Sequence, residues 1–135
     1  MPYPEPHIIE FPKHGESIIG YISVTSNSSL PFSVERLFWT YYTPESIVRG
    51  RHAHYETQQI LVAVSGRIIV TTDNGKGSIN SFVLDSPNVG VYLPPHVWHT
   101  MQYSHSAVQL VLASTAFDEK DYIRDYEKFK EVWAK

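Results

Sequence analysis

Two histidines stand two positions apart in the run Arg49-Gly50-Arg51-His52-Ala53-His54. Successive side chains of a β-strand alternate faces, so His52 and His54 point the same way. Arg51 stands between Arg49 and His52 and faces away from the pair unless a bulge intervenes. Two chemistries are open. A His-x-His pair on a strand holds divalent metal ions. An imidazole with an ordinary pKa of about 6.5 also moves protons at neutral pH. The plain alternative is a pair of surface histidines on an outward face. Arg49, Gln58 and His99 read as parts of the same region, and convergent polar groups in a pocket mark a site.

The elements around this pair read as short strands. Residues 18–24 are β-rich, and 34–42 is a long aromatic and β-branched run closed by Thr43-Pro44. Residues 51–55 alternate, 59–64 are nearly all apolar, and Gly66 separates them from 67–72. Asp73-Asn74-Gly75 is a hairpin signal. Further runs cover 79–84, 90–93 and about 103–113. Short strands with turn signals every roughly 8–12 residues indicate a β-sandwich or barrel. Residues 1–16 read as an N-terminal arm with one short edge strand. Residues 118–133 carry Tyr122, Ile123, Tyr126, Phe129, Val132 and Trp133 at helical spacing, which predicts a C-terminal helix. Asp118 or Asp121 is its candidate cap, with Asp125 the cap of a shorter helix. The acidic residues from Asp118 to Asp125 read as a solvated helix start.

At 135 residues the chain suits one domain with one core. The net charge of -3 gives no reason to expect nucleic acid or an anionic membrane as partner. An anionic ligand must then be met by a few placed arginines. The absence of cysteine removes thiolate catalysis and sulfur-ligated zinc, and fits a cytoplasmic location. No stretch approaches the roughly 20 apolar residues of a membrane helix.

Two motifs carry a resemblance. His52-Ala53-His54, followed by Gln59 and Gly66, follows the first cupin motif with Gln in place of its metal-binding Glu. Pro94-Pro95-His96-Val97-Trp98-His99 follows the second, with His96 replacing Gly and Tyr103 replacing Asn. A Gln fourth ligand makes a weak metal site. Pro31-Phe32-Ser33, Arg49-Gly50-x-His52-Ala53-His54, the run 84–90 and the run 117–129 sharpen the match. Together they resemble the dTDP-4-keto-6-deoxyglucose 3,4-ketoisomerases, the WxcM-like sugar cupins. The Arg-Gly-x-His element is also similar to that of dTDP-sugar 3,5-epimerases.

The resemblance implies an all-β cupin, a jelly-roll β-barrel with a short C-terminal helix. It implies a metal-free isomerase, without cofactor, that acts on a dTDP-linked keto sugar in deoxysugar biosynthesis. His52 and His54 are then the proton-transfer pair. Arg36, Arg49, Arg51, Gln58, His99 and Tyr41 are the expected substrate contacts. The family forms homodimers with exchanged strands. The chain departs from it at Phe38-Trp39, where relatives carry a tyrosine that takes part in catalysis, and at Tyr55, where they carry lysine. Tyr41 or Tyr42 is the nearest substitute for that auxiliary acid. A non-catalytic sugar-nucleotide-binding cupin and a metal-dependent cupin enzyme are the rival expectations.

Overall fold

In the computed structural model, which describes residues 3–133, the chain forms two facing five-stranded sheets and a separate hairpin. The ends of the expected domain, residues 1–2 and 134–135, lie outside the described residues. The first sheet has the order β1 (His7–Glu10), β9 (Val89–Leu93), β6 (Gln59–Ser65), β11 (Val108–Ala113), β4 (Arg36–Tyr41). The second has the order β12 (Tyr122–Ile123), β5 (Val48–His54), β10 (Trp98–Tyr103), β7 (Ile68–Asp73), β8 (Ile79–Leu84). Among the described residues, strands β2 (Lys13–Glu16) and β3 (Gly20–Ser23) pair only with each other. All pairings are antiparallel, as the jelly-roll expectation requires.

Alternation along each strand sorts side chains between layers. Leu61, Val70, Leu93, Met101 and Val111 point between the sheets and form the main core. Ile60, Val62, Tyr92 and Leu112, on the same strands as part of that set, face outward under Phe11, Leu30 and Val34. The outer face of the second sheet is closed by helix α1 (Tyr126–Trp133), whose Phe129 is fully buried against Ala53 and Ile123.

Three expectations change. The N-terminal arm holds two strands rather than one, β1 at a sheet edge and β2 in the exposed hairpin. The run 103–113 is two strands, because residues 104–107 turn the chain between β10 and β11. The C-terminal helix is shorter than 118–133. Asp125 caps it by accepting from the Glu127 and Lys128 amides at 2.9 and 3.2 Å. Residues 119–121 form a 3-10 turn, and Tyr122 and Ile123 add a strand to β5. The side chains that suggested a long helix thus divide between a strand and a helix.

Strand β5 contains a bulge. His99 opposes His52, but Thr100 opposes Gly50, so Arg51 is the extra residue. Gly50 and Arg51 both take left-handed backbone angles, with φ of 86° and 59°. A Cβ on Gly50 would lie 2.9 Å from the His99 carbonyl oxygen. We therefore expect Gly50→Ala to lower stability by about 2 kcal/mol or more, read from the midpoint of urea unfolding. Arg51→Gly relieves strain at the same bulge and should leave that midpoint unchanged or raised.

Candidate active site

The bulge decides which residues of β5 face the space between the sheets. With strict alternation Arg49 and His52 would lie on opposite faces. The extra residue shifts the phase, so Arg49, opposite Met101, comes to the same face as His52 and His54. Arg51 is left exposed to solvent. A chamber of about 200 Å³ results. Its wall includes His52, His99, Gln59, Tyr122, Arg49 and Arg124, with Phe38, Met101 and Val111 on the apolar side.

Three imidazoles cluster there. Ring centroids of His52 lie 5.0 Å from His54 and 4.6 Å from His99. Each ring is held through Nδ1. His54 donates to the Asp121 carboxylate at 2.9 Å, and His52 donates to the Gly50 carbonyl at 3.0 Å. His99 donates to the Val97 carbonyl at 3.4 Å. Strand β12 lies alongside, with Tyr122 opposite His54. The Tyr122 ring packs 5.0 Å from His52 and 4.5 Å from His54. The Arg124 guanidinium sits 4.3 Å above the Tyr122 ring and is gripped by Glu119 at 2.7 and 2.9 Å.

The other expected contacts are divided. Arg36 points inward from β4 and donates to the Tyr122 hydroxyl at 3.4 Å. Gln58 faces the opposite side of its sheet, where it accepts from the Tyr92 hydroxyl at 2.7 Å. Its neighbour Gln59 is the one in the chamber. Tyr41 points outward from β4 and packs edge-on against Tyr42 at 5.0 Å. Phe38 lines the chamber but supplies no hydroxyl. Sequence reasoning missed Asp121, Tyr122 and Arg124, because the helical spacing of 118–133 hid the strand. The alternative cap at Asp125 was the signal that could have separated them.

Burial sets the electrostatics. Desolvation, with smaller pushes from His54 and Arg124, lowers the pKa of His52 to about 4. Burial also lowers His54, although the Asp121 carboxylate works against it. His99, fully enclosed, lies well below the usual imidazole value. Burial pushes Asp121 up, but hydrogen bonds from Thr57, Glu56 and His54 outweigh it and hold the carboxyl below its usual value. At neutral pH the cluster is thus three uncharged imidazoles beside an ionised carboxylate. Nitrogens of the three rings lie within 4.8 Å of one another, a spacing that a divalent ion could bridge. The neutral amide of Gln59 stands where such a site would need a carboxylate, so the donor set fits a metal poorly.

Two facing antiparallel sheets with a histidine cluster between them define a cupin-type barrel. The chain belongs to the family whose model is described as FdtA: WxcM-like, C-terminal, which matches residues 4–134. It is 40% identical over 132 residues to a TDP-4-oxo-6-deoxy-α-D-glucose-3,4-oxoisomerase of Aneurinibacillus thermoaerophilus, covering 97% of this chain and 94% of that one. Its fold matches a 3,4-ketoisomerase from Helicobacter canadensis with a TM-score of 0.90 and 30% identity, over 96% of this chain and 98% of that one. It also matches a mutant of the QdtA 3,4-ketoisomerase from Thermoanaerobacterium thermosaccharolyticum, in complex with TDP-4-keto-6-deoxyglucose. There the TM-score is 0.91 at 27% identity, over 96% and 94% of the two chains.

Histidines buried in the neutral form make stability depend on pH. The unfolded chain takes up the His52 proton near 6.5, whereas the folded protein resists it down to about 4. Stability should therefore fall as pH drops through that window. Thermal melts across it test this. In His52→Gln, which cannot bind the proton, part of the slope should disappear.

Proposed function

We propose that this protein is a sugar 3,4-ketoisomerase that converts dTDP-4-keto-6-deoxy-D-glucose to a dTDP-3-keto-6-deoxyhexose in deoxysugar biosynthesis. The observation that carries this reading is a cluster of neutral imidazoles at one chamber, with His52 on its wall and His54 packed 5.0 Å from it, in a chain of this family. The 4-keto group acidifies the C3 proton. A neutral imidazole removes that proton, the C3–H electron pair forms the C3=C4 double bond, and O4 takes up a proton. O3 then gives up its proton as C3=O forms, and C4 is reprotonated. The sugar is oxidised at C3 and reduced at C4, so the exchange is internal and needs no outside oxidant. His52 and His54 act as proton carriers.

The chamber is smaller than the roughly 300–1,000 Å³ of pockets that enclose a whole drug-sized ligand. It suits a sugar ring, with the nucleotide outside. Arg49 lines it from the exposed side, and its guanidinium fork matches diphosphate oxygens, while the fork of Arg124 is taken by Glu119. Arg36 supports the Tyr122 hydroxyl, the nearest phenol to both catalytic rings, which makes Tyr122 the candidate auxiliary acid in place of the absent strand tyrosine.

A homodimer with exchanged strands is part of the same reading. The β2–β3 hairpin exposes Ile18, Ile19 and Ile22, and the outer face of the edge strand β4 exposes Leu37, Trp39 and Tyr41. An apolar groove of about 380 Å³, lined by Phe11, Leu30, Leu37 and Leu110, adjoins that strand. Apolar surface of this kind next to an unpaired strand edge calls for a partner, and a second copy offers the complementary hairpin.

Incubation with dTDP-4-keto-6-deoxyglucose in deuterated water should yield a 3-keto product with deuterium at C4. His52→Asn and His54→Asn should each slow turnover by about 100-fold or more. Tight dTDP binding without turnover would instead identify a binding protein. Light scattering should report a dimer, and Ile22→Asp should shift it toward monomer.

A further inference from the structure

Asp121 ends the 3-10 turn at 119–121 and reaches across to the connection between β5 and β6. Every polar group around it is a donor. One carboxylate oxygen accepts from the Glu56 amide at 2.7 Å. The other accepts from the Thr57 hydroxyl, from the Thr57 amide at 3.3 Å, and from His54 at 2.9 Å. The Thr57 hydroxyl is itself held by Thr115 at 2.6 Å. The His54 and Asp121 side chains are only 2% and 10% exposed.

A carboxylate in such a ring of donors can only accept, so the His54 proton must sit on Nδ1. Nε2 then keeps its lone pair, and it is buried without a partner in the cluster formed with His52 and His99. His52 and His99 are held by backbone carbonyls, which are dipoles rather than charges. Among the three rings, only His54 is backed by a full negative charge.

We propose that Asp121 is a positioning residue for the reaction: it fixes His54 as the Nδ1–H tautomer, so that Nε2 is the proton-accepting atom His54 offers to the cluster. This rests on the ketoisomerase reading above. The carboxylate also stabilises the imidazolium formed when Nε2 takes up a proton, which a carbonyl partner does far less. The 3-10 turn and β12 thus form a strap that sets the protonation geometry of the site.

Asp121→Asn tests this with little change of shape. The Glu56 amide bond, at 2.7 Å, is shorter than that of the Thr57 amide, at 3.3 Å, so the Asn carbonyl oxygen turns to Glu56 and the amide nitrogen faces His54. That nitrogen donates to Nδ1 and forces the Nε2–H tautomer. We expect kcat to fall about 100-fold or more, with KM changed by less than about threefold. Ring-nitrogen NMR of labelled histidine should move the His54 proton from Nδ1 to Nε2. Asp121→Ala provides the contrast. It removes more hydrogen bonds but imposes no tautomer, so per folded molecule it should retain more activity than Asp121→Asn. A purely structural role predicts the reverse order.

Wild-type turnover in Asp121→Asn, an unchanged His54 tautomer, or the reverse order of the two variants would overturn the proposal. A wild-type protein that leaves the keto sugar unconverted would sink the ketoisomerase reading. The tautomer measurement needs no substrate, and a wild-type His54 protonated on Nε2 would refute the role of Asp121 by itself.

Discussion

The extra residue in β5 is the constraint on which the site depends. A strand has a side-chain period of two, and a run containing both Arg49 and His52 cannot present both to one face without a change of phase. The bulge at Gly50 and Arg51 makes that change and strains Arg51 backbone, with φ of 59°. Pairing with β10 on either side of the bulge holds the strained segment in place. The same step brings the Gly50 carbonyl to Nδ1 of His52. One local departure from regular geometry therefore sets a cation at the edge of the chamber and orients an imidazole inside it.

Charge is distributed to match. The guanidinium groups of Arg49 and Arg124 lie toward solvent, where ionisation costs little. The imidazoles lie deeper and stay neutral, because burial penalises their protonated forms. Such a gradient favours a ligand whose anionic end remains outside while an uncharged end enters. The standing charges that act on these imidazoles include the Asp121 carboxylate and the Arg36 and Arg124 guanidiniums.

The barrel, the paired histidines and the substitution of Gln59 for a metal carboxylate were legible because each depends on short-range pattern. Alternation and hairpin residues mark strands, and the two motifs fix the lumen. Gln58 was misplaced by one position for a physical reason. The run that follows it, Gln59 to Val64, is apolar on both faces, since the core fills one side and Tyr92 with Leu112 the other. Such a run carries no alternation from which to read its phase. Tyr41 suffered from the opposite problem. Its strand alternates clearly, but both faces carry aromatic residues, so hydropathy does not say which is inside. The C-terminal strand was hidden because Tyr122 and Ile123 continue the spacing of a helix. Its pairing with β5 is a contact between residues about 70 apart, which no local pattern encodes.

The strap that carries Asp121, Tyr122 and Arg124 pairs with β5 through only two residues. Behind it, helix α1 is fastened by Phe129, which is fully buried against Ala53, Ile123 and Trp98, by Trp133 stacked on His96 and by the Tyr126 hydroxyl on Asp73. Segments with so few ladder bonds open at a lower free-energy cost than the strands of a core. Residues 118–133 rest on the barrel through these two ladder positions, the bonds of Asp121 and the packing of Phe129. Transient release of that segment would uncover His54 and dismantle the proton-handling geometry while leaving most of the fold standing. Local opening of this segment, set against global unfolding of the barrel, would separate loss of the site from loss of the fold.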